Sequence, residues 1–231
     1  MIPIVEGKCW NCQAKIGTGE TFCKSCSKIQ PFPKGIDYFQ CLGLRRLLQL
    51  DLKELEQLFY KLSRRFHPDF HHGKDEREKN ISLENSALLN KAYRTLKDPF
   101  SRVEYLIHLE DGNEGEIAAK IPQEFLEKIF ALQETLEEFR TERSPDSRQK
   151  LEVQLHDAVK MLSERLADLE KRLFDIFLRW DQSEPSTDSH NRKLLVQQMK
   201  EILSYRTYFK NMIQDIEHLL HGHTERRVVR H

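Results

Sequence analysis

Long apolar runs are missing from this sequence, and no stretch approaches the roughly 20 residues that a helix needs to cross a bilayer. An excess of either charge is missing too. Lys and Arg total 37, as do Asp and Glu. No bulk field therefore draws the chain to nucleic acid or to an anionic membrane, and electrostatic recognition must come from local patches. Glycine and proline are scarce, nine and eight in 231 residues. Neither a Gly-rich phosphate cradle nor the nucleophile elbow of a hydrolase can be found. No internal repeat or low-complexity run occurs. The opening residues, Met1 to Lys8, hold neither an apolar secretory stretch nor an Arg-rich amphipathic one, so a cytoplasmic protein is expected, or a mitochondrial matrix protein if the chain is a processed form. What is abundant is charge, 32% of residues against 39% hydrophobic. That balance favours long solvated helices over a compact sheet protein. The length suffices for one large or two modest domains plus a small appendage.

Cysteine is sparse but patterned. Four of the five cysteines form Cys9-Trp-Asn-Cys12 and Cys23-Lys-Ser-Cys26. Two residues between cysteines let a tight turn aim both thiolates at one ion, and two such turns supply a tetrahedral four-sulfur shell. The ten residues between the pairs can close through a hairpin at Gly17-Thr18-Gly19. Disulfides are the competing reading, and they fit poorly in a chain without an export signal. The expectation is structural zinc on Cys9, Cys12, Cys23 and Cys26, with no open coordination position and hence no catalysis. A nucleic-acid role for this segment would require a basic stripe that the sequence does not carry. Cys41, alone among apolar residues, reads as a small buried side chain.

Residues 51 to 66 read as a helix. Asp51 can cap its first turn and Glu54 can complete a capping box. Leu52, Leu55, Phe59, Leu62 and Phe66 share one narrow arc at about 100° per residue. Lys53, Gln57, Lys61 and Arg64 line the opposite side as a polar, basic stripe. On its own such a stripe is a solvated face with cations near the helix C-terminus, where the dipole favours them. The helix must stop at His67-Pro68-Asp69, because Pro68 lacks an N–H and disfavours helical dihedrals at His67. A polar loop leads to a second helical pattern, with Leu83, Ala87, Leu88, Ala92, Tyr93 and Leu96 as its apolar positions, ending near Asp98-Pro99. A short helix from Pro99 to Leu109 follows, with proline at its first position. A metal hydrolase built on His67, Asp69, His71 and His72 is the rival reading. All four lie in one loop, and no second cluster brings a ligand from elsewhere, so no enzyme is expected.

After Asp111-Gly-Asn-Glu-Gly115, read as a flexible hinge, three long helical patterns run over about 122–142, 145–182 and 189–221. They break at Ser144-Pro145 and at Ser183-Glu-Pro-Ser-Thr-Asp188. Short connections between long helices imply antiparallel neighbours and a three-helix bundle. In the first of the three, Phe125, Ile129, Leu132, Leu136 and Phe139 point one way as a core face. Leu126 and Phe130 lie well round from them, beside Gln133, Glu134 and Glu137. Residues 124 to 142 carry six Glu against Lys128 and Arg140. Two large apolar groups on an acidic, otherwise solvated face form a protein-binding patch. The bland alternative packs them under a neighbouring element.

Over residues 36 to 109 the chain resembles the J-domain family. The resemblance rests on Asp37-Tyr38-Phe39, Leu42-Gly43-Leu44, Arg65-Phe66, His67-Pro68-Asp69 and Asn90-Lys-Ala-Tyr-Arg-Thr-Leu-Lys-Asp-Pro99, in that order. Phe70 stands where many J-domains have Lys. With Ser101-Arg102, Glu104-Tyr-Leu106 and Gln123-Glu-Phe-Leu126, and with paired Cys-x-x-Cys motifs in front, nearly the whole chain is similar to the HscB family of iron–sulfur cluster co-chaperones.

That resemblance implies a mainly α protein. Its parts would be a zinc-ribbon-like module over 1–34, a J-domain over 35–110, a linker over 111–121, a scaffold-binding three-helix bundle over 122–223 and a tail over 224–231. It implies that His67, Pro68 and Asp69 trigger the ATPase of an HscA/DnaK-type chaperone, with Lys53, Lys61 and Arg64 as docking cations. It further implies that Leu126, Phe130, Glu134, Glu138 and Tyr205 hold an IscU-type scaffold, while Glu127 and Ala131 stand where the family often has an apolar and an acidic residue. Neither nucleic acid nor membrane is an expected partner. The alternative function is a general DnaJ-like co-chaperone for unfolded proteins. That function would call for a client groove or a Gly/Phe-rich linker, and neither is visible.

Overall fold

The computed structural model describes residues 7–17, 20–71, 73, 75–112, 118, 121–183 and 189–228. Residues 113–115 of the expected hinge and 184–188 of the expected break lie outside the described residues, as do Thr18, Gly19 and His72. The chain divides into two compact units, Met1–Leu109 and Glu110–His231. It is mainly helical, with seven α-helices among the described residues. None of these helices is long and apolar enough to cross a membrane.

The first unit begins with a two-stranded antiparallel ribbon, β1 (Gly7–Lys8) and β2 (Lys15–Ile16), in the register Gly7 to Ile16 and Lys8 to Lys15. A tight cysteine turn joins the strands, and a second one lies between the bridged residues Phe22 and Ile29. The two turns repeat one geometry. The Gln13 N–H donates to the Cys9 carbonyl at 3.0 Å, and the Ser27 N–H donates to the Cys23 carbonyl at 2.8 Å. Gln13 and Ser27 both take positive φ, 61° and 58°. A non-glycine residue adopts that conformation only at some cost, so something must hold these two turns.

Four helices complete the unit: α1 (Tyr38–Cys41), α2 (Leu52–Phe66), α3 (Glu76–Lys97) and α4 (Pro99–Asp111). Local chemistry sets their ends. Asp37 and Gln40 form a capping box on α1. The Asp51 carboxylate accepts from the Lys53 and Glu54 amides. Asp75 caps α3, and the Asp98 carboxylate accepts from the Ser101 amide at 2.7 Å. Gly43, at φ 72°, turns the chain out of α1, a conformation that glycine reaches without a Cβ clash. The Asp37-Tyr38-Phe39 motif ties α1 to α4. Tyr38 stacks on Tyr105 with centroids 4.1 Å apart, its N–H donates to the Tyr105 hydroxyl, and Arg46 clamps Asp37 at 2.8 Å. Cys41 is buried in the core, where burial, reinforced by the Asp37 charge, pushes its thiol up to about 12.

Two helix faces differ from the sequence reading. On α2, Leu55 and Phe66 are buried and Phe59 stacks on Tyr93 at 4.1 Å, but Leu52 is exposed. On α3 the inward positions are Ile81, Ser82, Asn85, Leu89, Ala92 and Leu96, while Leu83 and Ala87 face outward. The helix is rotated so that polar Ser82 and Asn85 point inward, because each finds a backbone partner there.

The second unit contains α5 (Leu126–Thr141), α6 (Pro145–Gln182) and α7 (Ser189–Val228), with a 3-10 turn Gln123–Phe125 opening α5. Phe125, Ile129, Leu132, Leu136 and Phe139 are all buried, as their spacing predicts. Leu155, Leu162, Leu169 and Ile176 repeat every seven residues along α6 as its buried seam, the period of helices packed side by side. Leu195, Met199, Ile202 and Phe209 face them from α7. The Arg192 guanidinium lies 3.7 Å from the centre of the buried Trp180 ring, and Arg206 pairs with Glu170 at 2.8 Å. The last helix runs past the expected end near 221 and into the expected tail.

Candidate functional site

Three groups of residues singled out in the sequence can be located. The first is the four-cysteine cluster. The Sγ atoms of Cys9, Cys12, Cys23 and Cys26 all lie within 4.8 Å of one another. Cys9 and Cys26 are 3.6 Å apart, as are Cys12 and Cys23. Sulfurs bound tetrahedrally at 2.3 Å from one ion would be about 3.8 Å apart. A disulfide needs about 2.05 Å, and all four cysteines are free. The Asn11 amide and the Gln30 side-chain amide approach the Cys9 sulfur at 3.4 and 3.3 Å. Burial opposes ionisation of Cys9, but the Cys12 and Asn11 amides and neighbouring thiols outweigh it and bring its pKa down to about 6. It is the spacing of the four sulfurs that suits a closed four-sulfur metal shell.

The second group is the His-Pro-Asp loop between α2 and α3. His67 takes φ −60° and ψ 127°, the extended conformation forced on a residue before proline. Pro68–His71 form one 3-10 turn, in which the Phe70 N–H donates to the His67 carbonyl at 3.0 Å. The His67 and Asp69 side chains are 51% and 83% exposed and approach each other at 3.4 Å. Phe70 is exposed beside them. Lys53, Lys61 and Arg64 are all exposed along α2. A helix C-terminus leaves carbonyls without intrahelical partners. Here the Phe66 carbonyl accepts two hydroxyls from α3, Ser82 at 2.6 Å and Ser86 at 2.8 Å.

The third group lies on the bundle. Phe130 is exposed and Leu126 half-buried on α5, with Glu134 and Glu138 exposed farther along. Glu127 and Ala131 are exposed too. Tyr205 on α7 is half-buried. Its hydroxyl donates to Glu201 at 2.7 Å, and that bond, with burial and the Glu124 charge, raises its pKa.

The sequence reading missed how the cysteine module meets the helices of its own unit. Lys28 pairs with Asp75 at 2.9 Å and with the buried Glu78. Asn85 donates to the Gln30 carbonyl at 2.9 Å and accepts from the Phe32 N–H at 3.1 Å. Phe66 lies against Phe22 and Phe32, with centroids 6.0 and 5.3 Å away. The available signal was polar Ser82, Asn85 and Ser86 at helical spacing, which marks a face needing hydrogen-bond partners.

The DnaJ domain family matches residues 37–105, from the cap of α1 into the middle of α4. The co-chaperone protein HscB homolog of Vibrio parahaemolyticus is 34% identical over 146 residues, which cover 61% of this chain and 81% of that protein. The chain belongs to the HscB family. The iron-sulfur cluster co-chaperone protein HscB homolog of Arabidopsis thaliana is 35% identical over 130 residues, covering 56% of this chain. The match spans about half, 51%, of the plant protein's length. The crystal structure of human co-chaperone protein HscB superposes with a TM-score of 0.58 at 27% identity, covering 91% of this chain and 96% of that one. Residues 37–105 are the DnaJ domain of this HscB-family chain.

Proposed function

We propose that this HscB-family chain is a co-chaperone of iron–sulfur cluster assembly. In this reading it carries an IscU-type scaffold on its helical bundle to an HscA/DnaK-type ATPase and stimulates that ATPase. The observation that carries the reading is the exposed His67-Pro68-Asp69 tripeptide between two helices, the first with its Phe66 carbonyl bonded by Ser82 and Ser86 and the second capped by Asp75. Pro68 stiffens the loop, so the Asp69 carboxylate is offered to a partner arginine without first being ordered. His67 stands beside it, half exposed. Lys53, Lys61 and Arg64 lie on the same helix as an exposed cationic stripe, and matched charges of this kind speed encounter more than they add affinity. ATP cleavage is the partner's chemistry, and this chain supplies only the contact that triggers it.

On the bundle, Leu126 and Phe130 are the apolar anchors of the scaffold contact. Glu134 and Glu138 form its acidic flank, and Tyr205 adds an aromatic from α7. The test is steady-state ATP turnover by an HscA-type chaperone, with the chain and IscU added separately and together. Stimulation by the chain, increased further by IscU, is expected. Refolding of a denatured model client with DnaK should gain nothing from the chain. Efficient refolding without any response to IscU would replace this reading with a general DnaJ-like one.

The metal on Cys9, Cys12, Cys23 and Cys26 is read as structural zinc, which supplies folding free energy to a module too small to hold itself. Zinc would secure the two strained turns at Gln13 and Ser27. Protein purified under reducing conditions should carry one zinc per chain by elemental analysis, and Cys9→Ser with Cys23→Ser should carry none. A metal-free wild-type protein that keeps its module folded would contradict the assignment.

A further inference from the structure

We infer that Lys28 and Phe22 of the cysteine module are positioning residues for the His-Pro-Asp trigger, holding both ends of its loop. The inference rests on the J-protein reading above and adds to it a role for the module. The loop leaves α2 at Phe66 and enters α3 at Asp75, and each of these residues is held from the module.

At the first end, Phe66 is fully buried, stacked on Phe22 and meeting Phe32 edge-on. The Arg65 guanidinium also lies over the Phe22 ring, 4.5 Å from its centre. At the second end, Lys28 reaches the Asp75 carboxylate that caps α3, and also Glu78 one turn on. Glu78 is only 3% exposed. A buried carboxylate is costly unless paired, so Lys28 is the partner that lets the first turn of α3 sit where it does. Arg77 on that same turn lies 4.7 Å over the Trp10 ring. Asn85 then fixes the register through its two bonds to the backbone of residues 30 and 32.

The holding residues flank the second cysteine turn. Phe22 precedes Cys23 and bridges to Ile29, while the Lys28 carbonyl accepts from the Cys23 N–H at 2.9 Å. The turn that presents sulfur to the metal therefore also sets where Phe22 and Lys28 point. Pinning both ends removes conformational freedom that the trigger would otherwise lose on docking, which is how preorganisation raises the yield of productive contact. The docking cations Lys53, Lys61 and Arg64 are untouched by this arrangement. Loss of the hold should thus reduce the stimulation reached at saturation more than the concentration needed to reach half of it.

The experiment compares full-length wild type with Lys28→Met, Lys28→Arg and Phe22→Ala. Lys24→Met serves as control, since Lys24 pairs with Glu20 on the module's exposed side. Each is measured for zinc content, melting temperature, stimulation of an HscA-type ATPase over a full titration, and hydrogen exchange at the Asp69 and Phe70 amides. Lys28→Met should keep its zinc and helix content, lose at least about fivefold in maximal stimulation, the lower end of coupling between distinct sites, and exchange faster at the loop amides. Lys28→Arg should restore both, and Lys24→Met should resemble wild type. Phe22→Ala should act in the same direction.

Wild-type loop exchange in both Lys28→Met and Phe22→Ala would overturn the inference, as would a loss that follows melting temperature alone across all variants. If wild-type protein fails to stimulate the ATPase, it is the proposed function that fails. Loop exchange, which needs no chaperone, still decides whether these residues hold the trigger.

Discussion

His67→Gln is expected to eliminate stimulation of the partner ATPase while the protein stays folded. The side chain is about half exposed. It meets Asp69 twice, the N–H at 3.3 Å and the carboxylate at 3.4 Å from Nδ1, and the edge of Phe70, with ring centres 6.2 Å apart. Removing an exposed ring opens no cavity, and substitutions at such positions usually change stability by less than about 0.5 kcal/mol. The ends of the loop do not depend on it either, because Phe66 is held by Ser82, Ser86 and the module aromatics. Chaperone turnover measured with each protein, alongside a circular-dichroism melt, separates trigger from scaffold. Full stimulation by a folded His67→Gln protein would end the J-domain mechanism for this chain.

Leu126→Ala with Phe130→Ala is expected to weaken IscU binding at least tenfold. Anchors near an interface centre cost about 2 kcal/mol or more when truncated, and each 1.4 kcal/mol is about a factor of ten. Phe130 is 59% exposed, so its truncation alone should leave the melt nearly unchanged. Leu126 is half-buried and contributes a modest loss of stability. Their neighbour Ile129, one residue from Phe130 and 1% exposed, is the contrast. Ile129→Ala creates a cavity and should cost about 2–5 kcal/mol, visible as a much lower melting temperature. Calorimetric titration with IscU beside the melting curves distinguishes the cases. Unchanged binding by a stable double variant would place the scaffold elsewhere on the protein. A collapse of stability in Phe130→Ala would return that side chain to the core.

Both experiments use residues that were legible in the sequence, because the signals that mark them are local. Asp51, Pro68, Pro99 and Pro145 act on the backbone within a turn of themselves, and all four fall at helix boundaries. The inward face of α5 follows from its own period. The cysteine spacing specifies two turns that need only meet each other. The same reasoning misjudged α3, where an apolar stripe through Leu83 and Ala87 was expected to face the core and is exposed instead.

What the sequence determined by itself was therefore the longer helices α2 to α7, the His-Pro-Asp loop between two of them and the pairing of the four cysteines. What only the tertiary structure decided was which face of α3 turns inward and what the cysteine module touches. Ser82 and Asn85 bury polar atoms whose partners, at residues 66, 30 and 32, lie 16 to 55 positions away. Lys28 meets carboxylates 47 and 50 positions on. No periodicity reaches across such separations. A polar side chain reads as solvent-facing until the fold supplies the partner that makes its burial affordable, and that partner becomes visible only once the chain has closed on itself.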